Sequence, residues 1–130
     1  MAYPNKTINE GSFGDYQAAN AIGLYQRVKF TTATGSDQKA KIDVAGATDR
    51  GCGIAMQPIA AGAFGTIKFL NSPGEQFGIA SGTITQGSDV YTAASGAYSN
   101  TQGSGVLAGK AVCTGADAGT FIFVPIIAAA

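Results

Sequence analysis

The sequence predicts an all-β protein: a compact sandwich or barrel-like domain of short strands, carrying a weak internal repeat and preceded by an extended N-terminal arm. Three observations predict it. Apolar residues alternate with polar ones in many runs of three to eight residues, the period of a half-buried strand. Turn clusters such as Thr34-Gly35-Ser36-Asp37, Asn71-Ser72-Pro73-Gly74 and Gln86-Gly87-Ser88-Asp89 punctuate those runs. Helix signals are scarce, because 19 glycines are spread along 130 residues, and each weakens a helix interior by up to about 1 kcal/mol.

In chain order, Gln26–Thr32 places Val28 and Phe30 on one face, and Ala40–Val44 does the same with Ile42 and Val44. Cys52–Met56, Gly65–Leu70, Gln76–Ala80, Thr83–Thr85, Val90–Thr92, Val106–Cys113 and Thr120–Ile127 are the further expected strands. Many short strands at even spacing with glycine turns indicate a sandwich or barrel. The repeat lies in this pattern. Gly53-Ile54-Ala55-Met56, then Ala61 and Gly65-Thr66-Ile67-Lys68-Phe69, reads like Gly109-Lys110-Ala111-Val112, then Ala116 and Gly119-Thr120-Phe121-Ile122-Phe123. A hairpin strand precedes each unit, Arg27-Val28-Lys29 in the first and Asp89-Val90-Tyr91 in the second. Two related β-units joined through Gly82 to Gly87 are therefore expected.

Residues 1–22 differ. They are polar, lack a clear period and carry Tyr3, Phe13 and Tyr16 at intervals. Aromatics spaced in this way suit an arm that orders on a partner, since aromatic side chains anchor interfaces. The expected division is an arm over 1–22, with one helical turn over 17–21, and a β-rich domain over 23–130; a first strand packed on the domain itself is the alternative for the arm.

Composition narrows the function. The net charge is +0, and charged residues make up 12%, about half the usual share. No field of one sign is present to attract nucleic acid or an anionic membrane. The longest apolar runs, such as 121–127, are far too short to span a bilayer, and the N-terminus carries no apolar run of a secretory signal. So little charge on a small protein suggests a surface largely covered by other subunits. Self-association is expected, with the apolar C-terminal stretch, Phe123, Ile126 and Ile127, as its interface.

Catalytic and metal chemistry find little support. Histidine is absent, which removes the commonest general base and the Ser-His and Cys-His pairings. The carboxylates Glu10, Asp15, Asp37, Asp43, Asp49, Glu75, Asp89 and Asp117 are scattered, and most sit beside turn residues, where aspartate caps backbone N–H groups. Cys52 and Cys113 lie in apolar strand-like runs and are expected as free, buried thiols. No ligand spacing for zinc or calcium occurs, and no cofactor motif. Gly11-Ser12-Phe13-Gly14 and Gly103-Ser104-Gly105 lack the strand–loop–helix context and the lysine of a phosphate loop.

The string Gly78-Ile79-Ala80-Ser81-Gly82-Thr83-Ile84-Thr85-Gln86-Gly87-Ser88-Asp89-Val90-Tyr91 resembles the centre of small phage head decoration, or cement, proteins: an apolar strand, a glycine, then a Gly-x-x-Val-Tyr step. Gly105-Val106-Leu107-Ala108-Gly109-Lys110-Ala111-Val112, an alanine-rich turn and Gly119-Thr120-Phe121-Ile122-Phe123-Val124 are similar to the closing pattern of that family. The resemblance covers roughly residues 20–127 and excludes the arm. It implies a β-rich homotrimer on the outer capsid surface of a virion, made in the host cytoplasm, with the major capsid protein as partner. It implies stabilisation of the shell against internal pressure and no catalytic residues, cofactor or metal. Tyr3, Phe13 and Tyr16 are then the expected anchors on the partner. A phage tail or fibre component is the structural alternative. A small carbohydrate-binding module is the other, although the chain has no tryptophan for sugar stacking.

Overall fold

The computed structural model describes residues 11–72 and 74–126. It is all-β, with ten strands: β1 (Phe13–Gln17), β2 (Arg27–Thr34), β3 (Ala40–Val44), β4 (Gly53–Ala55), β5 (Phe64–Phe69), β6 (Gln76–Ile79), β7 (Asp89–Thr92), β8 (Tyr98–Ser99), β9 (Leu107–Ala111) and β10 (Thr120–Pro125). The strands form two five-stranded antiparallel sheets, ordered β1-β5-β4-β2-β3 and β6-β10-β9-β7-β8. The second order is the first with every strand number raised by five.

Each sheet curls until its two outermost strands meet, which hides both edges from solvent. A parallel bridge from Ala18 to Ile42 closes the first barrel, and one from Ala80 to Tyr98 closes the second. A second bridge in each plugs one end, Ile22 to Ile59 and Ile84 to Gly115. The matching extends to single hydrogen bonds: Leu70 N–H donates to Cys52 O as Ile126 N–H does to Ala108 O, and Met56 N–H to Thr66 O as Val112 N–H does to Ile122 O. The chain is thus two copies of one topology. Its sequence repeat is real but was aligned two residues out of step in its last strand. Ala55 pairs with Ile67 where Ala111 pairs with Phe123, so the true counterpart of Phe64–Phe69 is Thr120–Pro125. A slip of two residues preserves which side chains point inward, so alternation alone cannot detect it.

The paired glycines of the repeat have a steric reason. A Cβ on Gly53 would lie 2.8 Å from Lys68 O, and one on Gly109 would collide with Val124 O, the equivalent carbonyl on the neighbouring strand. Only glycine lets those strands approach so closely. Each barrel then fills its own interior. Tyr16, Ala18, Ile22, Val28, Ile42, Ala55, Ile59 and Ile67 pack in the first. Ala80, Ile84, Val90, Tyr98, Ala108, Ala111, Phe121 and Phe123 pack in the second, joined from outside by Ile54 of the first.

Arg27 holds the two barrels together. It sits beside Ile54 on the outward face of the first barrel and is completely buried against the second. Its guanidinium donates to Asp49 O (3.0 Å) and Gly46 O (2.7 Å) in its own unit, and to Ala93 O (3.0 Å) and Ala97 O in the other. Its carbon Cζ lies 5.0 Å from the centre of the Tyr98 ring. Burial pulls its pKa below the ordinary range, partly offset by Tyr98 and Asp49. The receiving loop is shaped around it: Gly96 has φ +68, and a Cβ there would sit 2.9 Å from Arg27 O.

The expected arm is corrected over residues 13–22. Phe13–Gln17 is β1, paired along its length with β5, and Ala18 and Ile22 are core residues of the first barrel. The helical turn expected over 17–21 is absent, because Gln17 ends a strand and Ala18 bridges to Ile42. Thr83–Thr85 is a single bridge at Ile84 rather than a strand. Both cysteines are unpaired but half-buried, not fully enclosed.

Candidate functional site

Where the barrels meet, side chains from both leave an open groove of about 480 Å³. Tyr16, Phe30, Cys52, Phe69 and Leu70 line it from the first barrel, and Ala108, Phe123, Pro125 and Ile126 from the second. Several of these are repeat equivalents: Cys52 stands where Ala108 does, and Leu70 where Ile126 does. The wall is aromatic and tightly made. Tyr16 meets Phe30 edge-on at 5.1 Å and Phe69 at 6.1 Å, while Phe123 lies 4.7 Å from Tyr98 and 5.5 Å from Phe121.

The groove offers no poised chemistry. Arg50 is its one exposed cation. Burial pushes the Cys52 thiol up to about 12, which makes it a poor nucleophile at neutral pH. Among the described residues, no three His, Cys, Asp or Glu side chains cluster closely enough to hold a metal ion. The mostly apolar and aromatic lining suits contact with apolar surface.

The residues expected from sequence fall into three groups. Tyr3 and Ile127 lie outside the described residues. Phe13 is 49% exposed on β1, as an anchor requires. Tyr16 and Phe123 are corrected: both point into their own barrels, at 9% and 0% exposure, so neither is available to a partner across an open surface. Ile126 is half-buried at the groove rim. The groove therefore gathers Tyr16, Phe123 and Ile126 from two separate expectations, but as lining. Sequence reasoning missed Phe64 and Phe77, each exposed on the outward face of its strand, while Phe30, expected on one face with the buried Val28, is 44% exposed. Their signal was present: Phe64 and Phe77 are large apolar residues at outward positions of alternating runs.

The profile of phage cement proteins matches residues 22–126, spanning both barrels and the groove between them. The chain belongs to the phage cement protein family. No curated protein sequence matches it. Among solved structures, the head fiber gp8.5 N base in bacteriophage phi29 superposes with a TM-score of 0.66, covering 88% of this chain and 92% of that one at 16% identity. At that identity the likeness speaks for the fold alone. Cement family membership makes the chain a structural phage protein. The family match begins at residue 22, inside the first barrel, so β1 completes the barrel from outside the matched region.

Proposed function

We propose that this protein decorates the outside of a phage head as a homotrimer, binding the major capsid protein and tying shell subunits together against the pressure of packaged DNA. The family match over both barrels carries the reading. Closed barrels without free edges suit a protein that must stay soluble until it meets an assembled surface. Low charge and exposed Phe13, Phe30, Phe64 and Phe77 suit one that is covered on arrival. Repetition on a shell turns weak single contacts into strong attachment. We assign the shell contact to the N-terminal segment, with Tyr3 and Phe13 as anchors and Tyr16 excluded by its burial.

The test is to add purified protein to heads that lack it and measure sedimenting protein and DNA release on heating. Binding with a raised release temperature supports the reading. No binding to heads, with binding to isolated tails instead, would overturn it. A fibre base is the second reading, since the same fold serves the phi29 head fiber base. That role predicts attachment at few sites per head, where a cement protein saturates the lattice.

A further inference from the structure

Within the chain, the first barrel presents the cross-strand row Arg27–Ile54–Lys68 to the second, beside contacts such as Tyr25 stacked on Phe77 at 4.6 Å and the Thr92 hydroxyl donating to Ala47 O. Arg27 and Ile54 are fully buried there. The equivalent row of the second barrel is Asp89–Lys110–Val124. It is open: the Lys110 and Asp89 side chains are 59% and 45% exposed, paired only with each other at 2.8 Å, and Val124 is 43% exposed. The next outward row differs more. In the first barrel Asp15 accepts a hydrogen bond from Thr66, a polar, solvated pair. In the second the matching positions hold Phe77 and Ile122, paired across β6 and β10, with Val112 beside them; Phe77 stacks on Tyr25 of the first barrel at 4.6 Å and keeps 38% of its surface exposed. The repeat thus carries a binding face twice, covers Arg27 and Ile54 in the first copy, and leaves the second open as an exposed ion pair flanked by exposed Val112 and Val124.

We propose that a second copy of this chain covers that face, presenting the β2–β3 hairpin of its first barrel. This deepens the homotrimer reading and rests on it. Within the chain, Arg27 reaches Ala93 and Ala97 in the segment joining β7 to β8. The repeat equivalents of those positions are Thr31 and Lys41, so Asp89 of one copy meets the Lys41 region of the next, acid to base. Lys39, in the same hairpin, replaces the equivalent of Ser95. The hairpin is also longer, with Val28 and Ile42 fourteen positions apart where Val90 and Tyr98 are eight apart, and so extends over the apolar row. A contact of one face with a different face is heterologous, and such contacts close into a ring when the rotation allows. Three copies then form a cycle of six barrels in which every such face is covered.

The experiment is sedimentation velocity over a concentration series on the full chain and four variants: Val124→Asp, Asp89→Lys, Lys41→Asp, and Asp89→Lys with Lys41→Asp. Phe64→Asp, exposed on the other barrel, is the control. Thermal melts confirm folding, since every changed side chain lies at the surface or half-buried. Val124→Asp and each single charge reversal should raise the dissociation constant at least tenfold, the double reversal should restore most of it, and the control should not. A wild-type chain that stays monomeric at tens of micromolar overturns the trimer reading itself. A wild-type oligomer unmoved by Val124→Asp overturns only this face. Reversals that weaken assembly without mutual rescue overturn the hairpin as the partner.

Discussion

Replacing Arg27 with methionine tests whether a single side chain joins the two barrels. The change keeps most of the aliphatic stem and removes the donors to Gly46, Asp49, Ala93 and Ala97. Hydrogen bonds to charged groups contribute about 1.5–3 kcal/mol each, but their sum overshoots, because the variant also escapes the cost of burying a guanidinium. Three of the four bonds are only part-buried, so water can replace those donors. The buried Ala97 carbonyl also accepts from Ala93 N–H at 2.9 Å, so it loses one of its two donors and keeps the other. A net loss of about 2 kcal/mol follows, from the donors lost to partly buried carbonyls and the cation lost from the Tyr98 ring, offset by the relief of burying a guanidinium. That is a noticeable share of the roughly 5–15 kcal/mol of a typical domain, and lowers the melting temperature by about 5–10 °C. Lysine should fall between, at about 1 kcal/mol, because a compact ammonium cannot span carbonyls from both units at once. Urea unfolding followed by circular dichroism measures each loss. If methionine costs less than about 1 kcal/mol, or stabilises, the apolar contacts of Ile54 hold the junction and the arginine does not.

Three more outcomes follow from the same structure. Gly109→Ala and Gly53→Ala should each cost about 1–3 kcal/mol in urea titrations, because the new Cβ meets a backbone carbonyl that cannot turn aside. Cys52 should react with a thiol reagent at pH 8 at least tenfold more slowly in the native protein than in urea, as read by mass spectrometry with Cys113 replaced by serine. Its native pKa of about 12 exceeds the unfolded value of 9.0, so the native state holds the proton more tightly. That contribution is complete below pH 9 and is lost as pH rises towards 12, which equilibrium unfolding across that window checks. Deleting residues 1–10 should leave the melting temperature nearly unchanged and weaken head binding. Deleting 1–22 should unfold the first barrel, since Tyr16, Ala18 and Ile22 each remove buried core surface. Equal head binding by the shorter deletion would exclude that segment as an anchor.

The sequence by itself determined the fold class, eight of whose ten strands it marked through alternation and glycine turns, and it determined the family. Val28, Ile42, Val90 and Phe121 were visible as core because a strand buries every second residue and that period is written locally. The duplication was also legible, since Gly53 and Gly109 answer the same carbonyl clash. Tertiary structure alone decided the rest. β1 has little periodicity of its own; Gly14 and Tyr16 face inward only because β5 pairs beside them and the sheet closes through Ala18. Tyr16 and Phe123 looked like anchors because exposure depends on what lies opposite, and nothing in a local run of residues states that. Arg27 opens a strand run, and nothing in that run marks it as buried. Its four carbonyl partners lie 19 to 70 positions away, and only closure of both barrels brings them within reach of one guanidinium.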